Sequence, residues 1–134
     1  MLIVHAVREM VVGMSSDLRH HLGRAGEDAA AAHMERLGYA IVARNHRTRF
    51  GELDLVCIGY GALVFVEVKS RRGRGSPWDA LGREKQGRVR RMAISYLAES
   101  PDRPAAPILR FDAIGVVFDA RGQMVSLEHL EGAF

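Results

Sequence analysis

Two short apolar runs with charges set inside them constrain this chain more than any other feature. Leu53 to Ile58 and Leu63 to Val68 are separated by Gly59-Tyr60-Gly61, and Asp54, Glu67 and Lys69 sit within or at the edge of these runs. Apolar runs of this length bounded by glycines read as buried strands joined by a tight turn. A charge on a buried strand is costly unless it is paired or bound to a metal. Side chains alternate across a strand, so Glu67 and Lys69 share a face, as do Glu52 and Asp54. Glu67 follows Asp54 by thirteen residues, so a hairpin can gather Asp54, Glu67 and Lys69 into one cluster. Two carboxylates can hold a hard divalent cation, and a neighbouring ammonium can orient a water or steady a phosphate. The other reading of the same residues is an internal salt bridge. A buried ion pair contributes little net stability, so stability alone is a weak reason to place three charges there.

The bulk numbers bound the rest. A chain of 134 residues is large enough for one domain with a real core, and 48% hydrophobic with 26% charged residues is ordinary for a globular protein. The single cysteine, Cys57, excludes an internal disulfide and suits a reducing cytoplasm; in an apolar strand it reads as buried filler. No apolar run reaches the length of a membrane span, and the first residues lack a signal-peptide layout. The histidines show no zinc spacing, and Gly73-Arg-Gly75 lacks the lysine and helix of a phosphate loop.

The net charge of +3 hides an asymmetry. From Lys69 to Arg91 there are nine Lys/Arg against two acidic residues, whereas the remainder carries a net −4. A basic segment directly after the acidic strands suits a polyanion. Arg71, Arg72, Arg74, Arg88 and Arg91 are the candidate phosphate contacts; the bland alternative is a solvated arginine face.

Along the chain, residues 1–20 read as an N-terminal extension and 21–134 as the domain. Gly13-Met-Ser-Ser-Asp17 is a linker or a helix start. A helix is predicted from about Arg24 to Leu37 with Gly38 as its stop. Glu27 falls on its apolar face, three, four and seven residues before Ala30, Ala31 and Met34, near the expected helix start. A strand is expected from Tyr39 to Val42, reaching towards Asn45. After the two charged strands come a basic loop over 71–76, a helix starting at Ser76-Pro77-Trp78-Asp79 and ending near Ser100, a strand from Ile108 to Phe118, a turn over 119–122 and a last strand from Met124 to Leu130. Val89, Met92, Ala93, Tyr96 and Leu97 form the second helix's apolar stripe. Lys85 is spaced to point towards the sheet, either supporting the site or lying along the surface. This order predicts an α/β layer design with a mixed sheet and one parallel crossover.

Several segments carry a resemblance. Arg24-Ala-Gly26-Glu27-Asp28-Ala-Ala, Gly38-Tyr39, Asn45-His46-Arg47, Gly51-Glu52-Leu53-Asp54-Leu55, Phe65-Val66-Glu67-Val68-Lys69-Ser70-Arg71, Arg110-Phe111-Asp112 and Ala133-Phe134 occur in this order. Together they resemble the YraN-like family, within the PD-(D/E)XK nuclease superfamily and similar to Holliday-junction resolvases. The resemblance implies a restriction-endonuclease-like three-layer fold, a central mixed sheet flanked by helices. It implies phosphodiester hydrolysis on DNA, branched or damaged DNA included, with Mg²⁺ or Mn²⁺ held by Asp54, Glu67 and the Val68 carbonyl. Glu27 would complete the metal site, its other reading being a helix-dipole partner. Lys69 would orient water or stabilise the phosphate. By analogy with junction resolvases it extends to a homodimer. A nuclease fold that binds nucleic acid without cutting it, or an adaptor, is the alternative, since fold does not fix function. Asp112 is expected in an ion pair with an arginine.

Overall fold

A computed structural model describes residues 16–73 and 82–134. The expected helix start at Ser76-Pro77-Trp78-Asp79, the phosphate contact at Arg74 and most of the N-terminal extension lie outside the described residues. The chain runs α1 (Ser16–Arg36), β1 (Ala40–Thr48), β2 (Gly51–Gly59), β3 (Ala62–Arg72), α2 (Arg83–Glu99), β4 (Ile108–Phe118) and β5 (Met124–Leu130).

The strands form one sheet in the order β1-β2-β3-β4-β5. Neighbours are antiparallel except β3 and β4, which run parallel from Ala62↔Ile108 to Arg72↔Phe118. A parallel neighbour needs a long crossover, and α2 supplies it. Two-residue turns close two of the antiparallel pairs, β1–β2 and β2–β3. Tyr60 and Gly61 both take positive φ, 54° and 75°, as a primed hairpin turn requires. Between β1 and β2 the Thr48 hydroxyl donates to the Gly51 carbonyl at 2.8 Å and accepts the Phe50 N–H at 3.1 Å.

Among the described residues each face of the sheet carries one helix, giving three layers of α/β architecture. On one side Ala30, Ala31 and Met34 of α1 pack with Leu55, Cys57, Val64, Val66, Ile114 and Val116. On the other, Val89, Met92, Ala93 and Tyr96 of α2 pack with Val56, Leu63 and Phe65. Full burial of each large apolar side chain is worth about 1.5–3 kcal/mol, so these two stripes hold the helices on the sheet. This is the three-layer arrangement that the resemblance implies.

Among the described residues α1 runs from Ser16, so Ser16 and Asp17 are helical and the helix is longer at its front than the predicted Arg24. Its end is as predicted. Gly38 sits at φ 101°, its N–H donates to the Glu35 carbonyl and that of Tyr39 to Met34, both at 3.0 Å. That pair of bonds satisfies carbonyls the helix would otherwise leave open. β3 also outruns its prediction. Ser70, Arg71 and Arg72, expected at the edge of a loop, remain in the strand because β4 continues beside them to Phe118.

Candidate active site

The site forms where β2 and β3 part. Their ladder ends at Leu55↔Val66, and one residue beyond it the Asp54 Oδ2 accepts the Val68 N–H at 2.7 Å. The carboxylate thus takes over where a backbone carbonyl would have paired, and the bond fixes Asp54 against β3. Glu67 is on the face of β3 shared with Leu63 and Phe65, on the α2 side, and is 5% exposed. Its Oε1 accepts Lys69 Nζ at 3.3 Å and Lys85 Nζ at 3.2 Å.

Asp54, Glu67, Val68 and Lys69 line one pocket of about 320 Å³ together with Gly51, Glu52, Lys85, Arg88 and Met92. The electrostatics of the pocket follow from crowding carboxylates away from water. Burial, then the negative charge of Glu67, pushes Asp54 up to about 8, against the opposing Val68 N–H bond. Asp54 therefore keeps a proton near neutrality, burial and the neighbouring carboxylate outweighing the Val68 N–H bond. Burial lowers Lys69, and the Lys85 ammonium beside it adds to that, while Glu67 opposes both.

Of the residues expected at the site, Asp54, Glu67 and Lys69 come together and Glu27 does not line the pocket. Glu27 lies well inside α1 rather than in its first turn, which removes the helix-dipole reading, since that effect fades beyond the first turn. Its carboxylate bonds to Asn45 near Arg44 and Glu52, and burial raises its pKa. It reaches Asp54 only as a further negative charge. Glu52 lines the pocket at its rim, exposed and bonded to Arg47 at 3.3 Å. Gly26, one residue before Glu27, allows the close approach of α1 to this end of β3: a Cβ there would stand 1.7 Å from the Ser70 hydroxyl.

The basic candidates divide. Arg88 and Arg91 are exposed on α2 and line a second pocket of about 400 Å³ with Gly82, Glu84 and Lys85. Arg72 is committed elsewhere, its guanidinium donating to the Asp119 and Ala120 carbonyls of the β4–β5 turn. Arg71 is half-buried at the end of β3. Lys85, which the sequence left between two uses, is on the Glu67 carboxylate.

The sequence reading missed a second polar cluster. Asp112, fully buried, accepts both arms of Arg110 at 2.8 Å, His129 Nε2 at 2.7 Å and the Gly132 N–H at 3.1 Å. His129 Nδ1 in turn meets His33 Nε2 of α1 at 3.1 Å. Burial would raise Asp112, but these bonds outweigh it and hold the carboxyl below its ordinary value. The expected Asp112–arginine ion pair is the Arg110 part of this cluster. Nothing in the spacing of His33, Asp112 and His129 announces the rest, because three separate elements bring them together.

The groups at the pocket that suit a hard cation are oxygens: the Asp54 and Glu67 carboxylates, that of Glu52 at the rim, and the main chain of Val68. Among the described residues no group of three or more His, Cys, Asp or Glu is arranged to hold one ion. Mg²⁺ and Mn²⁺ suit oxygen donors, and Mg²⁺ commonly uses one or two carboxylates and keeps several waters. The Asp54–Glu67 pair fits such an ion better than it fits zinc, which takes four close N or S ligands in structural sites.

The family described as "Uncharacterised protein family UPF0102" matches residues 26–116. A UPF0102 protein of Pelotomaculum thermopropionicum is 44% identical over 121 residues, covering 89% of this chain and 99% of that protein. One of Parafrankia is 48% identical over 115 residues, 84% of this chain and 95% of the relative. One of Symbiobacterium thermophilum is 48% identical over 101 residues, 74% and 84%.

Proposed function

As the chain belongs to the family UPF0102, described as uncharacterised, we propose its function from the site: a divalent-cation-dependent nuclease that hydrolyses phosphodiester bonds in DNA. The observation that carries this reading is the pocket that Asp54, Glu67 and Lys69 line together, with Arg88 of α2 in the same lining. Asp54 and Glu67, with the Val68 carbonyl, would hold Mg²⁺ or Mn²⁺. Bound there, the ion would lower the pKa of a coordinated water and offset negative charge on the phosphoryl group.

The chain's own groups do the rest. Lys69 lines the same pocket, and its ammonium would meet a phosphate oxygen or an attacking water bound there. At about 4 Å and an effective dielectric of about 20, one such contact is worth roughly 4 kcal/mol. The two acidic residues alone would repel a polyanion; Arg88 and Arg91 supply the opposing charge beside them. Glu27 enters as a remote negative charge near Asp54. The reading places the protein in the cytoplasm, where the lone buried Cys57 stays reduced. Among the described residues no helix is long and apolar enough to cross a membrane.

The test is a cleavage screen over single-stranded, duplex, flapped and four-way DNA with Mg²⁺, Mn²⁺ or chelator. Metal-dependent cutting of at least one form that is lost in Asp54→Asn, with DNA still bound, is the expected result. No cutting of any form by wild type, with salt-sensitive DNA binding intact, overturns it in favour of a second reading, a binding module that does not cut. One observation favours that module: two lysines, Lys69 and Lys85, compete for the Glu67 oxygen that a cation would need.

A further inference from the structure

Glu67 Oε1 receives two ammonium groups, and the two differ in their tethers. Lys69 is two residues away on the same strand and held 3.3 Å from Glu67. Lys85 reaches the same oxygen at 3.2 Å from the first turn of α2. It also lines the neighbouring pocket with Gly82, Glu84, Arg88 and Arg91, and Lys85 and Arg88 are the two residues common to both pockets. Among the described residues the second pocket thus has three basic side chains and one carboxylate. A lysine has a flexible four-carbon stem and three donors, so one rotation of the stem exchanges Glu67 for an anion next door.

We propose that Lys85 couples the two pockets: it holds Glu67 while the carboxylate pair is free of a divalent cation, and turns to a phosphate of the nucleic-acid strand in the neighbouring pocket when the cation binds. This rests on the nuclease reading of the carboxylate pair. The chemistry follows from competition for one oxygen. A carboxylate already shared by two ammonium groups is a poor ligand for a third cation, and a cation that does bind repels them. Lys69 lines only the carboxylate pocket, whereas Lys85 lines both, and a phosphate between Lys85, Arg88 and Arg91 stabilises it away from Glu67. Cation and strand then bind cooperatively, and linkage makes the effect reciprocal: each tightens the other by the same factor. Without a strand the pair resists the cation, which keeps the site idle until its substrate arrives.

The experiment measures Mn²⁺ affinity by the electron paramagnetic resonance signal of free Mn²⁺, using the full chain. Wild type, Lys85→Met, Lys85→Gln and Asp54→Asn are titrated alone and then with a saturating phosphorothioate single strand, whose own Mn²⁺ uptake is subtracted. Thermal unfolding confirms that each variant is folded, and two Lys85 variants guard against loss of either one. Alone, both Lys85 variants should bind Mn²⁺ about fivefold or more tighter than wild type; the strand should tighten Mn²⁺ about fivefold or more in wild type and less than about twofold in the variants. Equal Mn²⁺ affinity in wild type and both Lys85 variants, or equal tightening by the strand in all three, overturns the coupling while leaving the nuclease reading intact. Mn²⁺ uptake no greater in wild type than in Asp54→Asn removes the metal site, and with it both proposals.

Discussion

The Asp54 carboxylate accepts the Val68 N–H at 2.7 Å one residue past the last paired position of β2 and β3. The bond joins an acidic side chain to the backbone between Glu67 and Lys69, so the three charges cannot separate without breaking it. It also makes Asp54 a costly residue for the fold, which yields a test.

Asp54 keeps its proton to about 8 in the folded protein, against an ordinary value of 3.8. Between those values the folded state binds a proton that the unfolded state has released. Stability therefore falls as pH rises through that window and levels off above it. Asp54→Asn removes this contribution. The difference in unfolding free energy between variant and wild type, measured by denaturant titration from pH 4 to pH 9, should grow in the variant's favour up to about pH 8; a flat difference refutes the protonated aspartate.

Cation binding should show the same proton from the other side. A carboxylate must be deprotonated to ligate, so Mn²⁺ affinity should rise by about tenfold per pH unit below about 8 and then plateau. Calorimetry in two buffers of different ionisation heat should register about one proton released near pH 7. Release of none speaks against Asp54 as a ligand.

Arg88→Gln with Arg91→Gln should weaken DNA binding across sequences and make its salt dependence shallower, since each phosphate contact carries released counterions. Fluorescence anisotropy at several salt concentrations measures both. Arg72→Gln should act differently. Its guanidinium caps the β4–β5 turn, so a lower melting temperature with little change of salt slope is expected.

Breaking the Asp112 cluster is a matter of stability alone. Asp112→Ala leaves the half-buried Arg110 charge with only the Tyr39 hydroxyl and the more distant Glu131 carboxylate, and strips His129 Nε2 and the Gly132 N–H of their acceptor. Loss of one side of a buried pair costs about 3–5 kcal/mol. Chemical denaturation should show a loss of this size, with Mn²⁺ affinity of the surviving folded protein unchanged.

Gly26→Ala should destabilise by about 1–3 kcal/mol, the usual cost of overpacking, because the new methyl would overlap the Ser70 hydroxyl. Ser70 Oγ is buried without a hydrogen-bond partner, so Ser70→Gly should recover much of the loss in the double variant. Additive effects of the two changes would show that α1 relieves the contact by shifting.

Much of this arrangement can be read along the chain where neighbours in sequence are neighbours in space. The hairpin is of that kind: Gly59-Tyr60-Gly61 marks the turn, and alternation puts Glu67 and Lys69 on one face. So is the α2 stripe, in which Val89, Met92, Ala93 and Tyr96 are buried as their spacing requires. What escapes is set by partners distant in sequence. β3 runs to Arg72 because β4 pairs with it, not because Ser70-Arg71-Arg72 favours a strand. Helical spacing gives the face on which Glu27 lies but not where α1 crosses the sheet, and that position sets Glu27 beside Asn45. Lys85 meets Glu67 only once α2 is docked.

The chain geometry of the two acidic strands also orders events during folding. Asp54 and Glu67 belong to one hairpin closed by Tyr60 and Gly61, a pairing that forms in about 1–10 μs. The parallel pairing of β3 with β4 must first close the much longer loop over 73–107, and non-local strand pairing of this kind is slow. The like-charged pair is therefore born early, with Lys69 as its local counter-ion. Lys85 reaches it only when α2 packs, so arrival of the second ammonium reports the completion of the crossover.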